Sequence, residues 1–448
     1  MSFKTDKQTL EDLNLLGKPG KESVFDIYNR TNTRGGANIL ERLFLYPLSD
    51  AEAINNRSQI IQYFSREKLA FPFKPAQLDS AEVYLGMTDK RTMLSHEDNN
   101  LSRKFSQLIA ADGDYKLIYN GIIAIIAILQ DINDFIEKAK SSASTTPFQI
   151  ELAEIMGLLA DSDITALTTE RNPNKLSYAK IADLDKLLRF TSHSKIKGIL
   201  AFIYQLDVYV SVAAVALTHN YIFPKALNKD QHAITFVGVY HPLVKKAIGN
   251  SIHITPQSNV VFLTGANMAG KSTFMKSLGI ALYLAHLGFP VAAEKMEFSV
   301  RDGIYTTINL PDDLSSGNSH FYAEVLRVKK VARELGADKN LFIIFDELFR
   351  GTNVKDAYEG TIAITEAFAE KRNCMFVVST HIIEAGEVLR ERCANINFVY
   401  LPTRMNVNTP VYTYTLESGI TADRHGMIII NNERILEIIR SRKNKTIS

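Results

Sequence analysis

The chain has 448 residues, 46% of them hydrophobic, and a formal charge of +2. That length supplies material for two or three domains with large cores, and a near-neutral balance neither demands nor excludes nucleic acid, since a local basic stripe can hide in it. Two cysteines, Cys374 and Cys393, exclude a disulfide framework or a cysteine metal site and fit a reducing, cytoplasmic setting.

The charged start, Met1 to Lys7, has no apolar signal-peptide stretch. The first half then reads as helical. Ile39, Leu40, Leu43 and Phe44 sit at helical spacing and stop at Pro47, and Ile54, Ile61 and Phe64 continue a second face. Further helices are expected over Leu117–Ala139, Phe148–Leu159, Leu176–Phe190 and Ile196–Leu217, with turn-rich joints at Ser141–Pro147 and Thr168–Asn174. No membrane span is expected. Ile118–Leu129 is too short to cross, and Gly198–Leu217 is interrupted by Gln205 and Asp207, which are costly in lipid. No strand is expected before about residue 234, and Asn220–Asp230 reads as a boundary.

The second half switches to alternating strands and helices. Val260–Thr264, Leu341–Phe345 and Phe376–Thr380 are short apolar strands, an alternation that implies a mostly parallel sheet. A helix from Lys271 is stopped by Gly288 and Pro290, and Phe321, Val325, Val328, Ala332 and Leu335 make the apolar stripe of another. Ile396–Leu401 and Val411–Leu416 suggest an added antiparallel hairpin.

Chemistry concentrates in this half. Gly265-Ala266-Asn267-Met268-Ala269-Gly270-Lys271-Ser272-Thr273 joins a strand to a helix as G-x-x-x-x-G-K-S, the context of a phosphate-binding loop. Glycines let the backbone N–H groups wrap phosphate oxygens, Lys271 is placed to reach the β- and γ-phosphates of ATP, and the Ser272 hydroxyl to ligate Mg2+. Leu341–Phe345 ends in Asp346-Glu347. In P-loop ATPases such a strand lies beside the phosphate loop, its Asp supporting the metal, and the following Glu stands where it could deprotonate a water. Strands often end in acidic residues for no such reason, but the phosphate loop nearby favours chemistry. His381 ends a third strand on the edge where ligands gather, and reads as a γ-phosphate sensor. Asp312–Phe321, containing Ser319, could cap a helix or present a hydroxyl to phosphate, and composition leaves both readings open. Arg350–Asp356 reads as a polar loop leaving the site.

These residues together resemble the MutS mismatch-repair ATPases, within the ABC class of P-loop proteins. The carriers are Thr264–Thr273 with its Asn267-Met268 pair, Asp312–Phe321, Phe345–Asn353 with Arg350-Gly-Thr, and Ser379–His381. Thr31–Leu40, Leu45–Leu48, Ile54–Arg57 and Leu206–Ala213 resemble the family's helical core domain, and His241-Pro242 its entry into the ATPase domain. The resemblance implies a helical lever/core domain over 1–227 and an ABC-type P-loop ATPase domain over 228–448. It implies ATP and Mg2+ as cofactors, with Lys271 and Ser272 on phosphate and metal, Asp346 supporting the metal, Glu347 as base and His381 near the γ-phosphate. Ser319 would reach the nucleotide of the opposite subunit of a homodimer. Double-stranded DNA and repair proteins become expected partners. The alternative is a nucleotide-switched protein–protein module that has lost DNA binding.

Departures from the family pattern shape the expectation. The chain starts at the core domain, so no mismatch-reading or connector domain is expected. Phe-x-Glu at Phe135–Glu137 and Phe368–Glu370 lies in predicted helices. Ser319-His320-Phe321 stands for the usual Ser-Thr-Phe. Between His241-Pro242 and the phosphate loop no aromatic faces the adenine position, where Ala247, Ile248 and Ile252 stand. The loop itself is therefore expected to supply most of the nucleotide affinity.

Overall fold

The computed structural model describes residues 3–17, 20–95, 112–143, 145–170, 175–308, 320–336, 338–406, 409–421 and 434–441. The chain divides into two compact units. One comprises Met1–Ile27, Phe44–Ser58 and Thr218–Ser448; the other comprises Tyr28–Leu43 and Gln59–Leu217. This division differs from a single cut at residue 227, because two N-terminal stretches belong with the sheet-bearing unit.

The helical unit contains Pro75–Leu85, Asp112–Ala143, Phe148–Leu159, Ser162–Thr168, Tyr178–Lys186 and most of His193–His219. Its core packs Phe64 on Phe148 and Tyr209, with ring centroids 4.9 and 5.8 Å apart. Two of its helices, Gly113–Lys140 and His193–His219, are long and apolar enough to cross a membrane, so the expected shortness of the first does not hold. Their apolar windows are 50% and 72% buried inside the protein, as core helices are. The helix expected over Leu176–Phe190 is shorter: it ends at Lys186 and passes into a π turn, Leu187–Thr191.

In that unit, buried polar groups fix the crossings. Asp207 accepts from the backbone N–H groups of Asn32 and Thr33 and from both their side chains. This ties the Asn32–Thr33 turn to the long helix that carries Asp207. Arg189, fully buried in the π turn, donates to Asp185 at 2.6 Å, to the Met87 carbonyl at 2.9 Å and to Thr92 at 2.8 Å. Tyr84 donates to the same carboxylate at 3.0 Å. Every charge removed from water here has a partner, which is the condition for burying it.

The sheet-bearing unit is built on twelve described strands. They are β1 (Lys225–Leu227), β2 (Ile234–Val239), β3 (Asn250–Ile254), β4 (Val260–Gly265), β5 (Lys295–Ser299), β6 (Gly303–Thr307), β7 (Leu341–Phe345), β8 (Met375–Ser379), β9 (Ile396–Leu401), β10 (Thr403–Asn406), β11 (Thr409–Tyr412) and β12 (Glu417–Ser418). The main sheet has the order β12-β9-β4-β8-β7-β6, with β9, β4, β8, β7 and β6 parallel and β12 antiparallel. Strands β4, β7 and β8 are buried at every position. That suits their unbroken apolar sequences, since a parallel sheet needs cover on both faces. The helices Lys271–His286 and Val354–Glu370 both pack on β4.

Three expectations change. A second sheet, β1-β5-β2-β3, is mostly antiparallel, and its β1 precedes residue 234. The expected hairpin of Ile396–Leu401 with Val411–Leu416 is instead β10 with β11, while β9 joins β4 in the main sheet. Strand β7 is not the neighbour of β4; β8 lies between them.

Candidate functional site

Parallel register brings the informative residues to one edge. Leu263 is level with Ser379, Val378 with Phe345, and Phe345 with Thr307. Gly265, Thr380 and Asp346 therefore leave the sheet side by side at its carboxyl end, where ligands of open α/β sheets bind.

The loop after β4 turns on residues that need unusual backbone. Gly265 and Gly270 have φ of +146° and +99°, and Met268 has φ of +68°. A side chain at Gly270 would also meet the Tyr414 ring at 3.0 Å. The helix that follows begins at Lys271 and directs its first N–H groups into the loop. Lys271 is buried, and its ammonium donates to the Gly265 and Ala266 carbonyls at 2.9 and 3.3 Å. Burial pushes its pKa down, against the pull of Glu347 and Asp346.

Asp346 is reached from two sides. Ser272 Oγ donates to its Oδ2 at 2.6 Å, and Ser379 Oγ donates to Oδ1. Strand β8 lies between β4 and β7, and its terminal serine reaches the carboxylate at the end of β7. Glu347 takes a left-handed backbone conformation, φ +55°, and its N–H donates to the Ser379 carbonyl at 3.0 Å. This turn aims the carboxylate at His381, whose Nε2 lies 2.6 Å from Oε1, while Arg350 stands 3.7 Å from Oε2. The hydrogen bond from His381 is the main force holding the Glu347 carboxyl below its ordinary range, opposed by burial and helped by Lys271 and Arg350.

A cavity of about 830 Å³ opens beside the loop, lined by Gly265's successors Ala266 to Thr273 and by Glu347. Its apolar and aromatic lining comes from Val244, Ile248, Leu401, Tyr412 and Tyr414. No aromatic between His241-Pro242 and the loop lines this pocket; its rings come instead from Tyr412 on β11 and Tyr414 just after it. Asn250 holds that segment, donating to the Tyr414 carbonyl at 2.9 Å and accepting from the Leu416 N–H at 2.7 Å. His241 also lines the cavity, its pKa lowered to about 4 by burial and by Lys276.

The structure thus gathers Gly265 to Thr273, Asp346, Glu347 and His381. Ser319 lies outside the described residues. Sequence reading missed Ser379 as a partner of Asp346, and Asn250 and Tyr414 as pocket builders. The donor set fits Mg2+: Ser272 and Asp346 offer two hard oxygens in contact, the small protein share such an ion takes when phosphates supply the rest. Among the described residues, no cluster of three His, Cys, Asp or Glu side chains offers a metal cage.

Comparison with known proteins bears on this arrangement. A family model described as MutS domain V matches residues 261–446, and one described as MutS domain III matches residues 8–213. The DNA mismatch repair protein MutS of Petrotoga mobilis is 25% identical over 514 aligned positions, covering 95% of this chain and 62% of the relative. The protein of the same name from Streptococcus agalactiae serotype Ia is 29% identical over 325 positions, 70% of this chain and 35% of the relative. That from Streptococcus pyogenes serotype M4 is 28% identical over 335 positions, 73% and 37%. The chain therefore spans between about a third and three-fifths of the length of these relatives. With a MutS domain III match through its helical unit and a MutS domain V match across the strand-loop-helix that carries Lys271, the chain belongs to the MutS family.

Proposed function

We propose that this protein is an ABC-type P-loop ATPase that hydrolyses ATP with Mg2+ at the edge formed by β4, β7 and β8. The observation that supports it most is the contact of Ser272 with Asp346 at 2.6 Å, with the Glu347–His381 pair immediately beside it. Asp346 and Ser272 would hold Mg2+, which when bound supplies positive charge to neutralise the phosphates. Lys271 would leave its two carbonyl partners for the phosphates; its burial lowers the cost of that exchange by leaving little water to displace. Glu347, kept ionised, would accept the proton of the attacking water. His381 would hold the Glu347 carboxylate in line and face the γ-phosphate. Tyr414 and Ile248 would pack on the base.

The matches to relatives named for DNA mismatch repair support action on DNA; in this reading the protein would act on double-stranded DNA as a homodimer, with Ser319 completing the partner's site. Nucleotide would then drive closure only to the extent that it binds the closed dimer more tightly than the open one. The decisive experiment is steady-state ATPase of Glu347→Gln. Loss of about a hundredfold or more in kcat with retained ATP binding is expected, and parental turnover would overturn the base assignment. A salt-sensitive gel shift with duplex, mismatched and branched DNA tests the DNA role; no shift at low salt would favour the protein–protein module instead. Ser319→Ala is expected to weaken nucleotide-dependent dimerisation by light scattering.

A further inference from the structure

Strand β6 is the last strand of the main sheet, and its outer edge is occupied by a segment far away in sequence. Lys4 forms a parallel bridge with Gly303: its N–H donates to the Asp302 carbonyl at 2.8 Å, and its carbonyl accepts from Ile304 at 3.0 Å. Gly303 is needed there, because a Cβ would fall 2.4 Å from the Lys4 carbonyl oxygen. The short helix Lys7–Asp12 then lies along β6. Thr9 Oγ1 accepts from the Thr306 N–H at 3.0 Å, and Asp12 Oδ2 accepts from Thr306 Oγ1 and the Ile308 N–H, both at 2.8 Å. Covering an edge protects it from pairing with other chains. Three further buried hydrogen bonds at the carboxyl end of β6 do something more specific.

Those bonds stop one step short of the catalytic edge. The Thr307 carbonyl accepts the Asp346 N–H at 2.9 Å. From the other side, Asp6 caps Thr9 and receives Arg327 and Lys330. Arg327 in turn donates to the Thr306 carbonyl at 2.6 Å and to Thr307 Oγ1 at 3.1 Å. Burial alone would raise the Asp6 carboxyl, but its hydrogen bonds from Arg327 and Lys330 win and hold it well below the usual carboxylate range. Arg327 and Lys330 belong to the helix His320–Leu335, so the same clamp fixes that helix to the end of β6.

We infer that Lys4–Leu13 is a positioning strap for the acidic half of the ATPase site, with Asp12 and Asp6 as the positioning residues that hold β6 and, through Thr307, the backbone of Asp346. This deepens the ATPase reading and rests on it. The phosphate loop hangs from β4, which is separated from β6 by β8 and β7. Loosening the strap should therefore displace Asp346 and Glu347 while leaving the loop in place, and displacements of about an ångström can cost a hundredfold in rate.

The test uses the full chain with Asp12→Ala, Asp6→Asn and the charge-preserving Asp6→Glu. Expected are a kcat about tenfold or more below the parent for the first two, with KM and the Kd for a fluorescent ATP analogue within about twofold, and recovery in Asp6→Glu. Hydrogen exchange gives a readout independent of turnover. Peptides containing Asp346 should lose protection in the two weakened variants while those covering residues 265–273 do not. Unchanged kcat, or kcat and affinity falling together with the global Tm, would overturn the strap. If Asp12→Ala does not fold, Asp6→Asn and Lys330→Ala carry the same comparison from the exposed side of the clamp. A parent that hydrolyses no ATP would sink the functional reading, and unchanged exchange at Asp346 would then sink the strap independently.

Discussion

Carboxylates serve different ends in the two units: Asp207 and Asp185 are buried in the helical one, while Asp346 and Glu347 are half-buried at the site of the sheet-bearing one. In the helical unit, Asp207 and Asp185 are saturated: each accepts several hydrogen bonds from groups of that same unit, and none faces a cavity that the site chemistry uses. In the sheet-bearing unit, Asp346 and Glu347 end a strand on a cavity, holding partners that a ligand could replace, such as the Ser272 hydroxyl and the His381 ring. Saturation makes a carboxylate architecture; replaceable partners make it chemistry. The same distinction separates Arg189, whose charge has no exposed surface, from Arg350, whose side chain is 57% exposed and only 3.7 Å from Glu347.

The comparison breaks if the two kinds respond alike. Asp346→Asn should cost the most in activity, on the order of a thousandfold in kcat, because it weakens the metal's support and its charge together. Its Tm should stay within a few degrees of the parent, since Ser272 and Ser379 can still pair with the amide. A calorimetric scan beside an ATPase assay checks both. Asp207→Ala should do the reverse. It strands the Asn32 and Thr33 N–H groups, which costs about 3 kcal/mol of stability measured by urea titration, with ATP affinity unchanged.

His286 sharpens the comparison from the side of protonation. The ring is wholly buried; its Nδ1 bonds the Leu48 carbonyl at 2.8 Å, and its Nε2 accepts the Arg301 N–H at 3.3 Å. Both contacts suit the neutral ring, and an added proton on Nε2 would face a donor. Burial is the main cause that drives its pKa down to about 3, with Arg301 and Lys229 adding repulsion. The unfolded state therefore binds a proton that the folded state refuses. Stability is full above about pH 6.5, the unfolded value, and falls as the pH drops toward 3. Between pH 7 and pH 5 this one group removes about 2 kcal/mol. Thermal melts at the two values should show a smaller drop for His286→Gln than for the parent; equal drops would refute the assignment.

What was legible in sequence followed the locality of the signal. The phosphate loop, Asp346-Glu347 and His381 each sit in a contiguous motif at a strand end, and the alternating pattern implied a parallel sheet, so their convergence could be reasoned out. The edges could not. Strand β3 and the pairing of β9 with β4 depend on contacts between residues more than a hundred positions apart or on short polar strands with weak alternation. Asp12 looks like an ordinary helix-end acid until β6 is placed beside it. The helix–π transition at Leu187 is also invisible to a 3.6-residue pattern, since it is set by where Arg189 finds Asp185.

Tyr414 is the smallest test and the one that bears most on that limit. A reading confined to the stretch between His241 and Gly265 finds Ala247, Ile248 and Ile252 and concludes that no ring meets the base. The pocket instead takes its ring from a position 149 residues beyond Gly265, held there by Asn250, so local sequence had no access to it. Tyr414 is 46% exposed and stands against Gly270, which leaves surface for a ligand to cover. Stacking of this kind is worth about 1–2 kcal/mol. Tyr414→Ala should therefore raise the Kd for ATP by roughly five- to thirtyfold with kcat nearly unchanged, and Tyr414→Phe should bind as the parent does. Calorimetric titration with ATP and with inorganic triphosphate separates the causes: the loss belongs to ATP alone if the ring meets the base, and to both if Tyr414 merely props the loop.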